Sequence, residues 1–146
     1  MQQKRVIQFD AFTGEQIEGA VAFFSPKRKN GFTKGWLAMD QTNSLRAFAL
    51  AHLSNEDRKV WAIMMSYVDY ENQITKSLSA MAGELGISRA NFSRSLNHLC
   101  EEGVFLRQKE NGRTVKIWLN PEYGWKGSAK NHVVALSDVR KNKDSK

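Results

Sequence analysis

The sequence predicts a mainly α fold with small β-hairpins, and three observations predict it. Two amphipathic helical segments meet at the short turn Gly86-Ile87-Ser88. The second of them runs into two alternating apolar stretches separated by a tip that contains Asn111-Gly112. Basic side chains collect on that second helix and on the hairpin after it. Helix, Gly-bearing turn, helix and hairpin in this order make a winged helix-turn-helix, here with an N-terminal hairpin extension.

The elements follow in chain order. In residues 5–12, Ile7, Phe9 and Ala11 alternate with polar residues. Thr13-Gly14-Glu15 makes a turn, and Val21 and Phe23 continue the pattern through 17–24, so this stretch reads as a β-hairpin. Residues 25–35 form a turn-rich basic loop, and residues 36–39 suit a short strand. Leu45, Phe48, Ala49 and Leu53 have helical spacing. Ser54 suits an N-cap, with Glu56 and Asp57 in the first turn where the helix dipole favours acids. That helix aligns Val60, Trp61, Met64, Tyr67 and Val68 on one stripe. Ile74-Thr75 is a short extended link. Ser77 caps a helix with Leu78, Met81, Ala82 and Leu85 at i, i+3, i+4 and i+7, stopped by Gly86.

The next helix spans residues 88–103. At about 100° per residue, Phe92, Leu96 and Leu99 share its apolar face. Ala90, Arg94, Asn97 and Glu101 lie opposite, flanked by Asn91, Ser93 and His98, with Arg89 at the start. The hairpin comprises residues 104–108 and 114–119 around a tip at 109–113, since Asn-Gly between alternating runs favours tight turns. Pro121 ends the second strand. From Ser137 the chain is polar and charged and reads as a flexible tail. The implied division is a hairpin and basic loop over 1–39, a winged-helix domain over 40–128 and a basic tail over 129–146.

Composition narrows the function classes. The 146 residues carry 22 Lys and Arg against 15 Asp and Glu, a net charge of +7, and this basic excess suits an anionic partner. Its distribution is uneven. Residues 25–36 hold four basic and no acidic groups, 37–87 four against six, 88–122 six against four, and 123–146 six against two. One side of the protein is thereby expected to face an anion.

Cys100 is the only cysteine, so neither an intrachain disulfide nor a thiolate metal cage forms from it, and it reads as an inert packed thiol. His52, His98 and His132 are isolated from acidic or thiol neighbours at metal-ligand spacing; His52 reads as a half-buried filler. Tyr67 and Tyr70 read as packing residues. There is no phosphate-binding G-x-x-x-x-G-K-[ST] and no His-x-His to partner a nicking tyrosine. Without a signal-peptide core or an apolar run of membrane length, the expectation is a cytoplasmic, non-enzymatic protein with no cofactor, metal or membrane partner.

The second helix carries the chemistry of a recognition helix for double-stranded DNA. Arginine pairs bidentately with guanine O6 and N7, and asparagine with adenine. Arg89 and Arg94 are therefore the base-reading candidates. Ser88, Asn91, Asn97 and His98 are candidates for base or phosphate contact. Arg107, Lys109, Arg113 and Lys116 on the hairpin are placed to hold backbone or minor groove. Lys27, Arg28 and Lys29 are candidates for gripping phosphates beside that site, and residues 140–146 for non-specific affinity. Trp61 reads as core. Trp118 is either core or partner-facing, and Trp36 and Trp125 read as packing rather than base stacking.

Residues 85–105 fit the generic bacterial winged-helix pattern. The stretch after them, residues 115–127, resembles the RepL family of plasmid replication proteins, in which the wing runs into an Asn-Pro, aromatic, Lys-Gly stretch, here Asn120-Pro121-Glu122-Tyr123-Gly124-Trp125-Lys126-Gly127. The Gly14-Glu15 hairpin, Gly35-Trp36 and the helix from Ser54 are also similar, so the likeness spans most of 6–128. The resemblance implies DNA binding in plasmid replication initiation or its control. The alternatives are a winged-helix transcriptional regulator and a protein-interaction module. Host replication proteins are the further partners implied, with residues 123–126 and 27–34 as candidate recruiting surfaces. The 5–24 hairpin is a candidate homodimer element.

Overall fold

Among the described residues, the four longest helices all begin at a serine. A computed structural model of the chain describes residues 13, 31–32 and 35–145. The N-terminal hairpin expected over 5–24 and the basic loop with Lys27, Arg28 and Lys29 lie outside the described residues. Within the unit Gly35–Lys146, Ser54, Ser77, Ser88 and Ser128 each accept a hydrogen bond from the backbone N–H three residues on. Each cap satisfies a donor that the first helical turn would otherwise leave unpaired.

The elements are a short strand β1 (Ala38–Met39), a π-helical turn (Gln41–Arg46) continuing into α1 (Ala47–Leu50), α2 (Asn55–Ser66), a 3-10 turn (Tyr70–Asn72), α3 (Leu78–Leu85), α4 (Arg89–Glu101), β2 (Phe105–Glu110), β3 (Arg113–Leu119), β4 (Gly124–Trp125) and α5 (Ala129–Asp144). The expected mainly α architecture with small antiparallel hairpins is what forms. The helix expected around Leu45 to Leu53 is interrupted. It stops at Leu50, where the Arg58 guanidinium reaches back to the carbonyls of Phe48, Ala51 and Leu53 at 2.9, 3.1 and 2.6 Å. Leu45 is left exposed and Leu53 enters the core.

The core lies between α2, α3, α4 and the base of the hairpin. Val60, Trp61 and Met64 from α2 meet Met81 and Ala82 from α3, and Phe92, Leu96 and Leu99 from α4. Val104, Phe105, Ile117 and Leu119 close it from below. Fully burying one such side chain stabilises the fold by about 1.5–3 kcal/mol, so this stripe dictates which face of α4 points inward. Between α3 and α4, Gly86 takes the left-handed conformation at φ 66°, and the turn closes with Ile87 N–H donating to the Ala82 carbonyl at 3.1 Å. The strands pair from Phe105 opposite Leu119 to Glu110 opposite Arg113, with a shift in register between Gln108 and Lys109. Asn111 and Gly112 both have positive φ, the mark of the tight primed turn that Asn-Gly favours.

Asn72 ties the chain after β3 to the turn after α2. It is fully buried at φ 63°. Its Nδ2 donates to the carbonyls of Leu119 and Gly124 at 3.0 and 2.7 Å, and its Oδ1 accepts from the Lys126 N–H at 2.9 Å. Beside it β4 pairs with β1. The strands approach so closely there that a Cβ on Gly124 would lie 2.8 Å from the Ala38 carbonyl oxygen.

The flexible tail expected from Ser137 is instead helical through Asp144. The polar composition hid a helix that Ser128 caps and that side-chain contacts dock. Asn131 donates to Glu71 at 2.5 Å, the His132 ring stacks on Trp125 at 5.0 Å, and Lys143 pairs with Glu122 at 2.6 Å. Every residue of α5 keeps some exposure.

Replacing Asn72 by Ala should lower the unfolding free energy by at least about 2 kcal/mol, because it strands three buried backbone groups. Gly124→Ala should cost about 1–3 kcal/mol through overpacking. The exposed Asn142, changed to Ala, should stay within about 0.5 kcal/mol. Urea denaturation at constant m-value reads all three; a silent Asn72→Ala would refute the hub.

Candidate nucleic-acid interface

With its apolar stripe turned inward, α4 presents Arg89, Arg94 and Asn97 to solvent, with Asn91, Ser93 and His98 half-buried along the margins. These side chains are joined in three pairs. Arg89 donates to the Ser93 hydroxyl, and Arg94 to Asn91 Oδ1 at 2.9 Å. Arg107 reaches across from β2 and donates to Asn97 Oδ1 at 2.6 Å. The hairpin is therefore coupled to the helix by a side-chain contact that no periodicity encodes. Lys109, Arg113 and Lys116 stand exposed further along the hairpin, Lys116 lying over the Trp118 ring at 5.5 Å. Ser88 stays exposed at the helix start, its Oγ accepting from the Asn91 N–H.

His98 departs from its expected place. Its Nδ1 lies 2.7 Å from Asp57 Oδ2, turned back toward α2. Asp57 is itself buried and closes a capping box with Ser54, receiving the Ser54 N–H at 3.0 Å while the Ser54 hydroxyl receives its own N–H at 3.0 Å. Burial pushes the Asp57 carboxyl up. Hydrogen bonds from Ser95, the Ser54 backbone, His98 and the Ser54 hydroxyl outweigh that and hold it below its ordinary value. The hydrogen bond to Asp57 raises the His98 pKa against a smaller effect of burial, and the charges of Asp57, Glu102 and Glu101 add to the rise. His98 and Asp57 thus seat α4 on α2. Sequence reasoning saw Asp57 only as a first-turn acid; the capping-box spacing from Ser54 was the available signal, and its partner on α4 had none.

Several other expectations resolve here. Trp61 is core, and Phe48 and Tyr123 meet its ring edge-on at 5.1 and 6.0 Å. Trp125 packs, donating its Nε1–H to the Ser128 carbonyl at 2.9 Å. Trp118 is half-buried, Trp36 is half exposed, and Tyr70 and His52 are exposed rather than packed. Burial pushes the Cys100 thiol up, against the lowering effect of Arg107 and Lys109, which keeps it a thiol. The segment 123–126, expected to offer a recruiting surface, is built into the fold instead. Gly124 and Trp125 are buried, the Tyr123 hydroxyl donates to the Glu102 carbonyl and Lys126 Nζ to the Val68 carbonyl.

Residues 3–146 match the family model described as Firmicute plasmid replication protein (RepL). The chain belongs to the RepL family. Comparison with curated proteins and with solved structures gave no match. The Asn-Pro, aromatic, Lys-Gly stretch of this RepL-family chain is explained by packing. Asn120 Nδ2 donates to the Gly103 carbonyl at 2.8 Å and its Oδ1 accepts from the Glu122 N–H, so it pins the end of β3 to the end of α4. A Cβ on Gly127 would meet the Trp125 ring at 3.0–3.1 Å. Among the described residues, no three His, Cys, Asp or Glu side chains cluster as metal ligands, and no helix is long and apolar enough to cross a membrane.

The shifts of His98 and Asp57 set a pH window. A raised histidine pKa contributes stability that is full below 6.5 and is lost as pH rises through the folded value. A lowered carboxyl pKa contributes stability that is full above 3.8 and is lost as pH falls through the folded value. Urea midpoints should therefore fall on the alkaline side of 6.5 in the wild type, and His98→Gln should flatten that limb. Ser54→Ala should cost about 0.5–2 kcal/mol at every pH in the window. An alkaline limb that survives His98→Gln would remove the histidine from this role.

Proposed function

We propose that this RepL-family protein binds double-stranded DNA sequence-specifically to initiate plasmid replication or control it, as a winged helix-turn-helix with α4 as recognition helix and the β2–β3 hairpin as wing. One observation carries the reading. Arg94 and Asn97 lie on the side of α4 opposite its core stripe, Arg89 stands exposed at its start and Asn91 at its margin, and Arg107 of the hairpin donates to Asn97. A major groove about 12 Å wide admits such a helix, and these are the side chains that pair with base edges there. The basic excess supplies affinity through phosphate contacts and counterion release.

The chain carries no phosphate-binding loop motif, so on this reading it acts through binding energy. It marks the origin, deforms nearby duplex and attracts host replication proteins. A regulator of the same fold would need only the DNA contacts, and the two readings part in the test.

Fluorescence anisotropy on duplex DNA should give a steep fall of log K with log salt, with a slope of about −0.9 per phosphate contacted. Arg89→Ala or Arg94→Ala should cost roughly 1–3 kcal/mol on a cognate site and relax discrimination at particular base pairs. Lys109→Ala or Arg113→Ala should weaken cognate and random DNA alike. A plasmid whose only origin is this gene with its flanking DNA should be maintained, and be lost with Arg89→Ala. Repression of a flanking promoter without maintenance would make the protein a regulator. Absence of duplex binding at low salt would reject both readings.

A further inference from the structure

Three states of arginine occur among the described residues. Arg58 is fully engaged, its Nε, Nη1 and Nη2 all donating to backbone carbonyls. Arg113 is loose, with no side-chain hydrogen bond or ion pair among the described residues. Arg89, Arg94 and Arg107 are steered. Each gives one N–H to a neutral oxygen, on Ser93, Asn91 and Asn97 respectively. Arg107 therefore belongs with the arginines of α4 and not with its neighbour on the hairpin.

A guanidinium holds five N–H donors in a fixed fork, with two paired edges, Nε with Nη2 and Nη1 with Nη2. Arg107 and Arg89 donate from Nη1, so the Nε–Nη2 edge of each stays whole. Nη2 of Arg94 carries two hydrogens, so its single bond also leaves one edge whole. The three supports are uncharged. Carboxylates pair with Lys76 and Lys143, but none pairs with these three guanidiniums, the exposed Glu101 of α4 included. A guanidinium held in this way keeps its charge and has its fork aimed before a partner arrives, which lowers the ordering cost of binding. An aimed fork matches the adjacent O6 and N7 acceptors of guanine. Phosphate contacts need no such aim, since a lysine serves them as a point charge. The bond to Asn97 also carries the Arg107 guanidinium to the side of α4 opposite the core stripe, about one turn beyond Arg94.

Resting on the DNA-binding reading of α4, we propose that Arg107 reads a guanine in the groove that α4 enters, and that Asn97 is the positioning residue that aims it. The hairpin then supplies a specificity-determining side chain as well as a grip on the backbone. Asn97 keeps a second lone pair on its oxygen and both amide hydrogens, so a base of its own is the rival reading. The two part on which position of the DNA site each residue controls.

Selection of duplex DNA from a random library, followed by sequencing, defines the wild-type site and those of the variants. Arg107→Lys keeps the charge and loses the fork. It should weaken a guanine preference at one position at least about fivefold, while affinity for random DNA stays within about twofold. Arg113→Lys, the matched control, should alter no position. Asn97→Ala should weaken the same position that Arg107→Lys weakens, and should add nothing to it in the double variant. Asn97→Asp keeps an oxygen for Arg107 and should retain that preference, at lower overall affinity because of its added negative charge. Neither side chain is buried, and thermal unfolding checks that each variant is folded.

If Arg107→Lys selects the wild-type site as Arg113→Lys does, or if Asn97→Ala alters a different position from Arg107→Lys, the proposal fails while duplex recognition stands. Loss of the guanine preference in Asn97→Asp would likewise remove Asn97 from the positioning role. A wild-type protein that enriches no duplex sequence at all would overturn the recognition reading together with it.

Discussion

The orientation of α4 depends on one buried carboxylate. Asp57 sits at the third position of α2, where it completes the capping box with Ser54 and receives hydrogen bonds from Ser95 and His98 of α4. A carboxylate out of water is costly unless it is hydrogen-bonded, and here several groups from two helices converge on it. The apolar stripe of Phe92, Leu96 and Leu99 already selects an inward face. The polar contacts confine α4 further, because rotating or sliding the helix by one residue would break them as well as the packing. The aim of Arg89, Arg94 and Asn97 toward solvent is a consequence of what lies behind them.

The hairpin is held by a second set of long-range contacts. Asn120 joins the end of β3 to Gly103, and Asn72 joins it to the turn that follows α2. The extended segment at Gln73 and Ile74 bridges to β3 as well, with the Ile74 N–H donating to the Ile117 carbonyl at 3.1 Å. Held at its base on both sides, the hairpin keeps Arg107 within reach of Asn97. The aromatic and glycine residues that carry the RepL likeness at 120–127 serve this purpose. They are packing and close-approach positions, with Gly124 and Trp125 buried.

On the proposed DNA-binding reading, this arrangement separates holding from reading. Lys109, Arg113 and Lys116 stand exposed on the hairpin away from the α4 pairs, where their charges suit long-range attraction of an anionic backbone. The side chains on α4 are restrained by one another, so less conformational freedom is lost when they meet a partner. Preorganisation of this kind favours selectivity over raw affinity.

How much was legible in the sequence follows from how far each signal reaches along the chain. Ser54, Ser77 and Ser88 announced their helices, Gly86 and Asn111-Gly112 their turns, and the spacing of Phe92, Leu96 and Leu99 the buried side of α4, because each depends on residues within a turn or two. The helix at Ala129–Asp144 was missed although Ser128 capped it, since a polar, charged composition outweighed a local signal. The pairing of His98 with Asp57 spans 41 positions, that of Asn72 with Gly124 spans 52, and that of Arg107 with Asn97 links two different elements. Helical period and capping chemistry, acting between near neighbours, let the sequence by itself determine α2, α3 and α4, the turns and the basic residues of α4. Which polar groups meet once those elements pack, and hence which of them stay free to face a partner, was decided only by the tertiary structure, because such contacts depend on distances that the chain order does not contain.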